Sequence, residues 1–188
     1  DMTALVLVNP IGLEDWKAKG VPLATLDALY AGELETDADK IRAYQRKVYY
    51  HGNWEPRYDR WVDMLASMYD GEGGKTVAWA QARASDMIQS QPVIYDAHQI
   101  HVPPLLLIRE KAITATGRNR PSLDDAKKPR NYPLLSRHVT KRIPGAMLVT
   151  FADLGHSPHV AAPAPFHATL LQSPTPFGPH HLASSSPR

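Results

Sequence analysis

The sequence predicts an α/β fold, with parallel strands interrupted once by a helical insertion. Three observations predict it. Short continuous apolar runs stand at residues 3–8, 105–108 and 146–151, the pattern of strands buried on both faces. Between the first two runs, residues 23–90 repeat apolar side chains at helical spacing. After the second run the order is helix, strand, helix, the alternation of a parallel sheet covered by helices.

Each element can be read in turn. The first strand, residues 3–8, is closed by Asn9-Pro10 and Gly12. Leu23, Leu26, Leu29 and Tyr30 share a helical stripe. Thr36-Asp37 opens a second helix, with Ile41, Tyr44 and Val48 on one side. Pro56 suits the first turn of a third, whose apolar face carries Tyr58, Trp61, Val62, Leu65, Met68 and Tyr69. Gly71, Gly73 and Gly74 stop it, and a fourth helix covers residues 76–88. Tyr49, Tyr50, Trp54 and Trp79 are expected to be exposed. Pro103-Pro104 then leads into the second strand, and residues 109–131 are polar and turn-rich. Residues 132–143 are amphipathic, Pro144-Gly145 is a turn, and residues 146–151 form the third strand. A loop, 152–158, precedes a last helix near Pro163 with Phe166, Leu170 and Leu171 on its apolar side. The Pro-, Ser- and His-rich tail is expected to be disordered. The expected division is therefore 1–12 core strand, 13–100 helical insertion, 101–171 C-terminal core and 172–188 tail.

Composition removes several function classes. The 188 residues include no cysteine, which excludes disulfides, thiolate nucleophiles and Cys-ligated zinc. No apolar run approaches the ~20 residues that a membrane span needs, and no basic stretch followed by an apolar one marks a secretory signal. The sequence therefore assigns no compartment. Charge is uneven: residues 1–108 balance at −5 and residues 109–142 at +7. The basic block lacks aromatic interleaving apart from Tyr132, so a solvated face is expected there rather than a nucleic-acid footprint. His98 with His101, His156 with His159 and His180 with His181 form pairs, but zinc needs three or four convergent ligands. No metal site or cofactor is expected. The chain opens on Asp1 ahead of Met2 and enters an apolar run at once, as a stretch cut from a longer protein would.

His156 is the sharpest candidate for chemistry. It follows a strand closely, between Gly155 and Pro158, and a short loop at the carboxyl end of a parallel strand faces the ligand cleft of such sheets. Histidine is also the side chain best poised for proton transfer near neutral pH. Trp54 and Trp79 are candidates to line an apolar pocket, whereas Trp61 is expected in helix core.

The motifs also occur in a telling order. They run Pro104-Leu105-Leu106-Leu107-Ile108, Glu110-Lys111, Thr114-Ala115 with Gly117, and Arg142-Ile143-Pro144-Gly145-Ala146. Asp153-Leu154-Gly155-His156-Ser157-Pro158 and Pro163 with Phe166-His167 complete the series. This series resembles the C-terminal part of the α/β-hydrolases, a family that includes esterases, lipases, epoxide hydrolases and dehalogenases. Residues 5–12 resemble the family's sixth strand. The resemblance implies a partial α/β-hydrolase fold over about residues 3–171, with 23–90 as the cap and 104–108 and 146–151 as strands seven and eight. In that family a serine, an acid and a histidine follow one another along the chain, and the resemblance assigns the base to His156. It implies a small ester-like substrate and no cofactor.

Two departures accompany it. No Gly-x-Ser-x-Gly occurs in the 188 residues. After strand seven the family typically reads Gly-x-x-Asp, where this chain reads Arg109-Glu110-Lys111-Ala112, leaving Glu110 as a substitute acid two residues away. Glu14 and Asp15 are a further source, although ordinary surface charge is the expected reading of both. The departures leave two expectations open: an ester hydrolase relative, or a catalytically inactive fragment or binding domain. In either case the first strand is expected to present a flat apolar edge that promotes self-association.

Overall fold

The computed structural model describes residues 4–18, 20–109, 132–152 and 155–172. They fall into a sheet unit, built from the described residues of 4–13, 93–109 and 132–172, and a helical unit of residues 14–92.

In the sheet unit, β1 (Leu5–Val8), β2 (Pro104–Arg109) and β3 (Met147–Phe151) form a parallel sheet in the order β1-β2-β3. Every residue of β2 is buried, because the strand has a neighbour on each side and a layer on each face. Its side chains alternate between the faces, as strand pleating requires. Leu106 and Ile108 enter one cluster with Leu13, Ile94, Ala97, Val139 and Ile143, and Leu7 and Leu148 pack against it. Leu105 and Leu107 enter the other with Phe166, against which Val6, Val8, Val149, Phe151 and Leu170 pack. The first face is covered by α5 (Tyr132–Thr140) and the second by α7 (Pro163–Gln172), with the short α6 (Pro158–Ala161) before it. Residue 158, expected to close the loop, and residues 159–161, unassigned by periodicity, are helical; Pro158 occupies a helix first turn, where its missing N–H has no partner to lose.

Helical periodicity spans residues 23–90 and the expected insertion 13–100; the helical unit comprises residues 14–92 among the described residues. Two 3-10 turns, Val93–Tyr95 and Ala97–Gln99, place Ile94 and Ala97 in the sheet core. The Ile94 N–H also donates to the Gly12 carbonyl at 3.2 Å. Gly12 has φ +76, and a Cβ there would meet Val93 Cγ2 at 2.9 Å, so glycine is needed on two counts.

The helical unit contains α1 (Leu26–Leu34), α2 (Ala38–Tyr44), α3 (Asp59–Tyr69) and α4 (Gly74–Ser90). Thr25 caps α1 by accepting from the Ala28 N–H, and Asp37 caps α2 by accepting from the Lys40 N–H at 2.7 Å. α1 pairs with α4, and α2 with α3. Gln89 clasps the start of α1: it accepts from the Ala24 N–H at 3.1 Å and donates to the Ala24 carbonyl at 2.6 Å. α2 runs on into a π-helical turn, Gln45–Tyr49, ended by His51 and Gly52 at positive φ. Ile41, Val62 and Ala66 form the buried cluster of α2 and α3, flanked by Trp54.

The aromatic side chains expected at the surface are largely covered. Tyr50 is buried and stacks on Tyr58 with centroids 3.8 Å apart, while Trp54 meets both rings edge-on at 5.6 and 5.7 Å. The π turn and the bend at 51–52 fold this short segment back on itself, which helical periodicity does not anticipate. Trp79 is exposed, as expected, with its ring set edge-on to Tyr30 at 5.2 Å.

Candidate functional site

The three parallel strands end at the same edge of the sheet, and their last residues meet there. Asn9 follows β1 directly and is buried. Its N–H donates to the Leu107 carbonyl at 2.9 Å, continuing the ladder beyond the strand. Its side chain bridges the other two strand ends. Asn9 Oδ1 accepts from the N–H of Arg109, the last residue of β2, at 2.9 Å. Asn9 Nδ2 donates to the carbonyl of His156, in the loop after β3, at 2.9 Å.

His156 stands between buried Gly155 and buried Ser157, and its own side chain is half-buried. Ser157 precedes α6, and its carbonyl accepts from the Val160 and Ala161 N–H groups at 3.1 and 2.9 Å, anchoring the loop on the helix side. Burial, and after it the Arg109 guanidinium and the neighbouring His159, push the His156 imidazole down from 6.5 to about 4. Near neutral pH the ring is therefore uncharged, with its basicity lowered by that burial. Arg109 is only 2% exposed, so a cation lies inside the sheet edge. His159 is exposed, with its ring 5.8 Å from that of buried Phe166.

This depressed value links to stability. Between pH 6.5 and about 4 the unfolded chain takes up a proton that folded His156 refuses, so stability falls as pH drops through that window. The imidazole signals of His156 are expected to titrate with a midpoint near 4 by NMR. A midpoint at the ordinary 6.5 would contradict the burial described here.

Glu110 and Ala112 lie outside the described residues. Glu14 accepts from Trp16 Nε1 at 3.1 Å, and Asp15 accepts from the Ala18 N–H at 2.9 Å, both within a local turn. Trp54 and Trp79 belong to the helical unit, where Trp54 Nε1 donates to Asp59 at 3.3 Å. Among the described residues no group of three or more His, Asp or Glu is arranged to hold a metal ion. His98 and His101 are both exposed, and His98 Nδ1 lies 2.9 Å from the Tyr95 carbonyl. Asn9 and Arg109 escape a motif search. The traces they leave are an asparagine directly before a proline at a strand end, and one cation closing an apolar run.

Among solved structures the chain is similar to a crystal structure described as a probable hydrolytic enzyme from Pseudomonas aeruginosa. The identity is 48% and the TM-score 0.84, over 90% of this chain and 54% of that one. An esterase from Exiguobacterium antarcticum shares the fold at 14% identity and a TM-score of 0.54, over 89% of this chain and 55% of that one. A third structure, described as an N-acyl homoserine lactone degrading enzyme, does so at 16% identity and a TM-score of 0.50, over 89% and 56%. The chain thus spans about half the length of the structures it matches. No family profile and no curated protein sequence matches it.

Proposed function

We propose that the chain derives from a carboxylic ester hydrolase of the α/β-hydrolase family, with His156 as the base of a Ser-His-acid triad; its likeness to a probable hydrolytic enzyme and its partial α/β-hydrolase fold support the reading. The observation that carries the reading is the position of His156. It is an uncharged imidazole in the loop after β3, fastened at the edge where all three parallel strands end. In this role the imidazole removes a proton from the attacking hydroxyl and returns it to the leaving group, while an acid orients the ring. Glu110 is the weak candidate for that acid. The 188 residues contain no Gly-x-Ser-x-Gly, so the nucleophile would come from outside them. The helical unit takes the part of a cap, with Trp54 and Trp79 as candidates for its apolar lining. A small ester-like molecule is the substrate class.

The lack of a nucleophile motif favours a second reading, in which this chain is a catalytically inactive fragment or a non-enzymatic binding domain. Hydrolysis of p-nitrophenyl acetate separates the two. The first reading expects turnover above the buffer rate when the polypeptide assayed also carries the nucleophile, reduced about 10²–10⁴-fold in His156→Ala. The second expects no turnover, or turnover indifferent to that substitution. Neither reading involves nucleic acid or a membrane, and among the described residues no helix is long and apolar enough to cross one. β1 pairs with β2 on one side and with no strand on the other among the described residues, and we take that edge as a route to self-association.

A further inference from the structure

We propose that Asn9 is the positioning residue of the His156 site: its amide fixes the backbone from which the imidazole is presented. This inference rests on the reading of His156 as a base and adds what holds that base in place.

The chemistry of the amide matters here. One side chain at the end of β1 must accept a hydrogen bond from the Arg109 N–H and donate one to the His156 carbonyl, each at 2.9 Å. A carboxylate offers only acceptors and an ammonium only donors, whereas an amide offers both from one planar group. The three bonds of Asn9, counting its N–H to Leu107, join β1 to β2 and β2 to the loop after β3. Removing the side chain cuts the described tie between His156 and the strand ends while leaving the strand ladder paired.

The backbone of Asn9 supports the same conclusion. Its φ is +45, in the left-handed region, and Pro10 follows it directly. A residue before proline is biased toward extended conformations, so this one is held where it would not otherwise settle. Such conformations persist when the surroundings over-determine them, and they cluster at functional sites. Asparagine tolerates positive φ better than most residues, so one side chain meets both the backbone and the hydrogen-bond requirement.

Two variants isolate the tie. Asn9→Gly accepts the positive φ and removes both side-chain bonds without adding charge. Asn9→Asp keeps the shape and the acceptor for Arg109, but faces the His156 carbonyl with a second acceptor. The readouts on the chain itself are the Arg109 amide exchange rate, the His156 carbonyl ¹³C shift and the titration midpoint of the imidazole. Burial sets this midpoint first, and the groups that add to it are Arg109 on β2 and His159 on α6. In Asn9→Gly, Arg109 exchange rises about tenfold, the effect of one neutral hydrogen bond, and the His156 carbonyl and ring signals move. In Asn9→Asp, Arg109 exchange holds while the His156 carbonyl signal still moves. Protected amides in Leu105, Leu106 and Leu107 show that each variant has folded. Unmoved His156 signals in either folded variant overturn the proposal.

None of these readouts needs turnover. Where p-nitrophenyl acetate is hydrolysed, kcat falls in both variants and KM holds; a rise in KM alone overturns the positioning role. Shifted His156 signals in a chain whose hydrolysis is absent or indifferent to His156→Ala leave the Asn9 tie standing and remove only the ester reading. Unshifted signals in a chain that His156→Ala inactivates do the reverse.

Discussion

Leu106→Ala is expected to destabilise the sheet unit by about 2–5 kcal/mol, the range for a fully buried leucine cut back to its Cβ. Leu106 is 0% exposed. Its register partners are Leu7 on β1 and Leu148 on β3, so three leucines stand side by side across the sheet, and all three pack in one cluster. Val139 and Ile143 close that cluster from above the sheet. Neighbours held on both sides by strand pairing cannot slide in to fill the space, so the void stays and the effect belongs toward the upper part of the range. At roughly 2–4 °C per kcal/mol for a chain of this size, the melting temperature falls by several degrees to more than ten. Thermal denaturation followed by far-ultraviolet circular dichroism checks it. Leu171→Ala is the control: Leu171 is 61% exposed, and its loss should stay within about 0.5 kcal/mol. Equal effects at the two sites would refute the layered core.

The second large effect turns on two adjacent glycines that should respond in opposite directions to the same substitution. A Cβ on Gly74 would overlap the backbone carbonyl oxygen of Tyr69, and that oxygen sits at the end of α3 with no freedom to swing away. Either α3 or the first turn of α4 must shift, and Gly74→Ala is expected to lose about 3 kcal/mol or more. Gly73 has an ordinary φ of −77, and no heavy atom lies within 4 Å of a Cβ built on it. Gly73→Ala restrains the unfolded chain without strain and should gain up to about 1 kcal/mol. Urea titration of the two variants decides the matter. Similar midpoints would mean that α3 and α4 are not joined as closely as described.

The strands were legible because each packs apolar side chains on both faces of the sheet, β2 buried throughout and β1 and β3 half-buried, so their sequences are apolar at nearly every position. β1, β2 and β3 each lie within two residues of the runs that predict them. Helices with a side-chain cap were legible for the same kind of reason: Asp37 marks the start of α2 as an acceptor for an otherwise unpaired N–H. What could not be read is what depends on distant partners. The 3-10 turns at 93–99 carry no periodicity, and only the buried faces of Ile94 and Ala97 assign them to the sheet. Tyr50 looks solvent-facing on a helical projection until a π turn redirects it. At the site, His156 announces itself by residue type and loop position. Asn9 does not, since its contacts reach across 100 residues to Arg109 and 147 to His156. No local pattern encodes a side chain whose partners are that far along the chain.

The division into two units has an optical consequence. All four tryptophans, Trp16, Trp54, Trp61 and Trp79, fall within residues 14–92, and the sheet unit has none. Light absorbed at the red edge of the protein spectrum is therefore emitted from the helical unit alone. The sheet is dark at that wavelength, while its backbone still contributes to circular dichroism. In Leu106→Ala the lesion lies on the dark side. If the chain unfolds in one step, emission and dichroism will decay together; if the sheet gives way first, emission will outlast it.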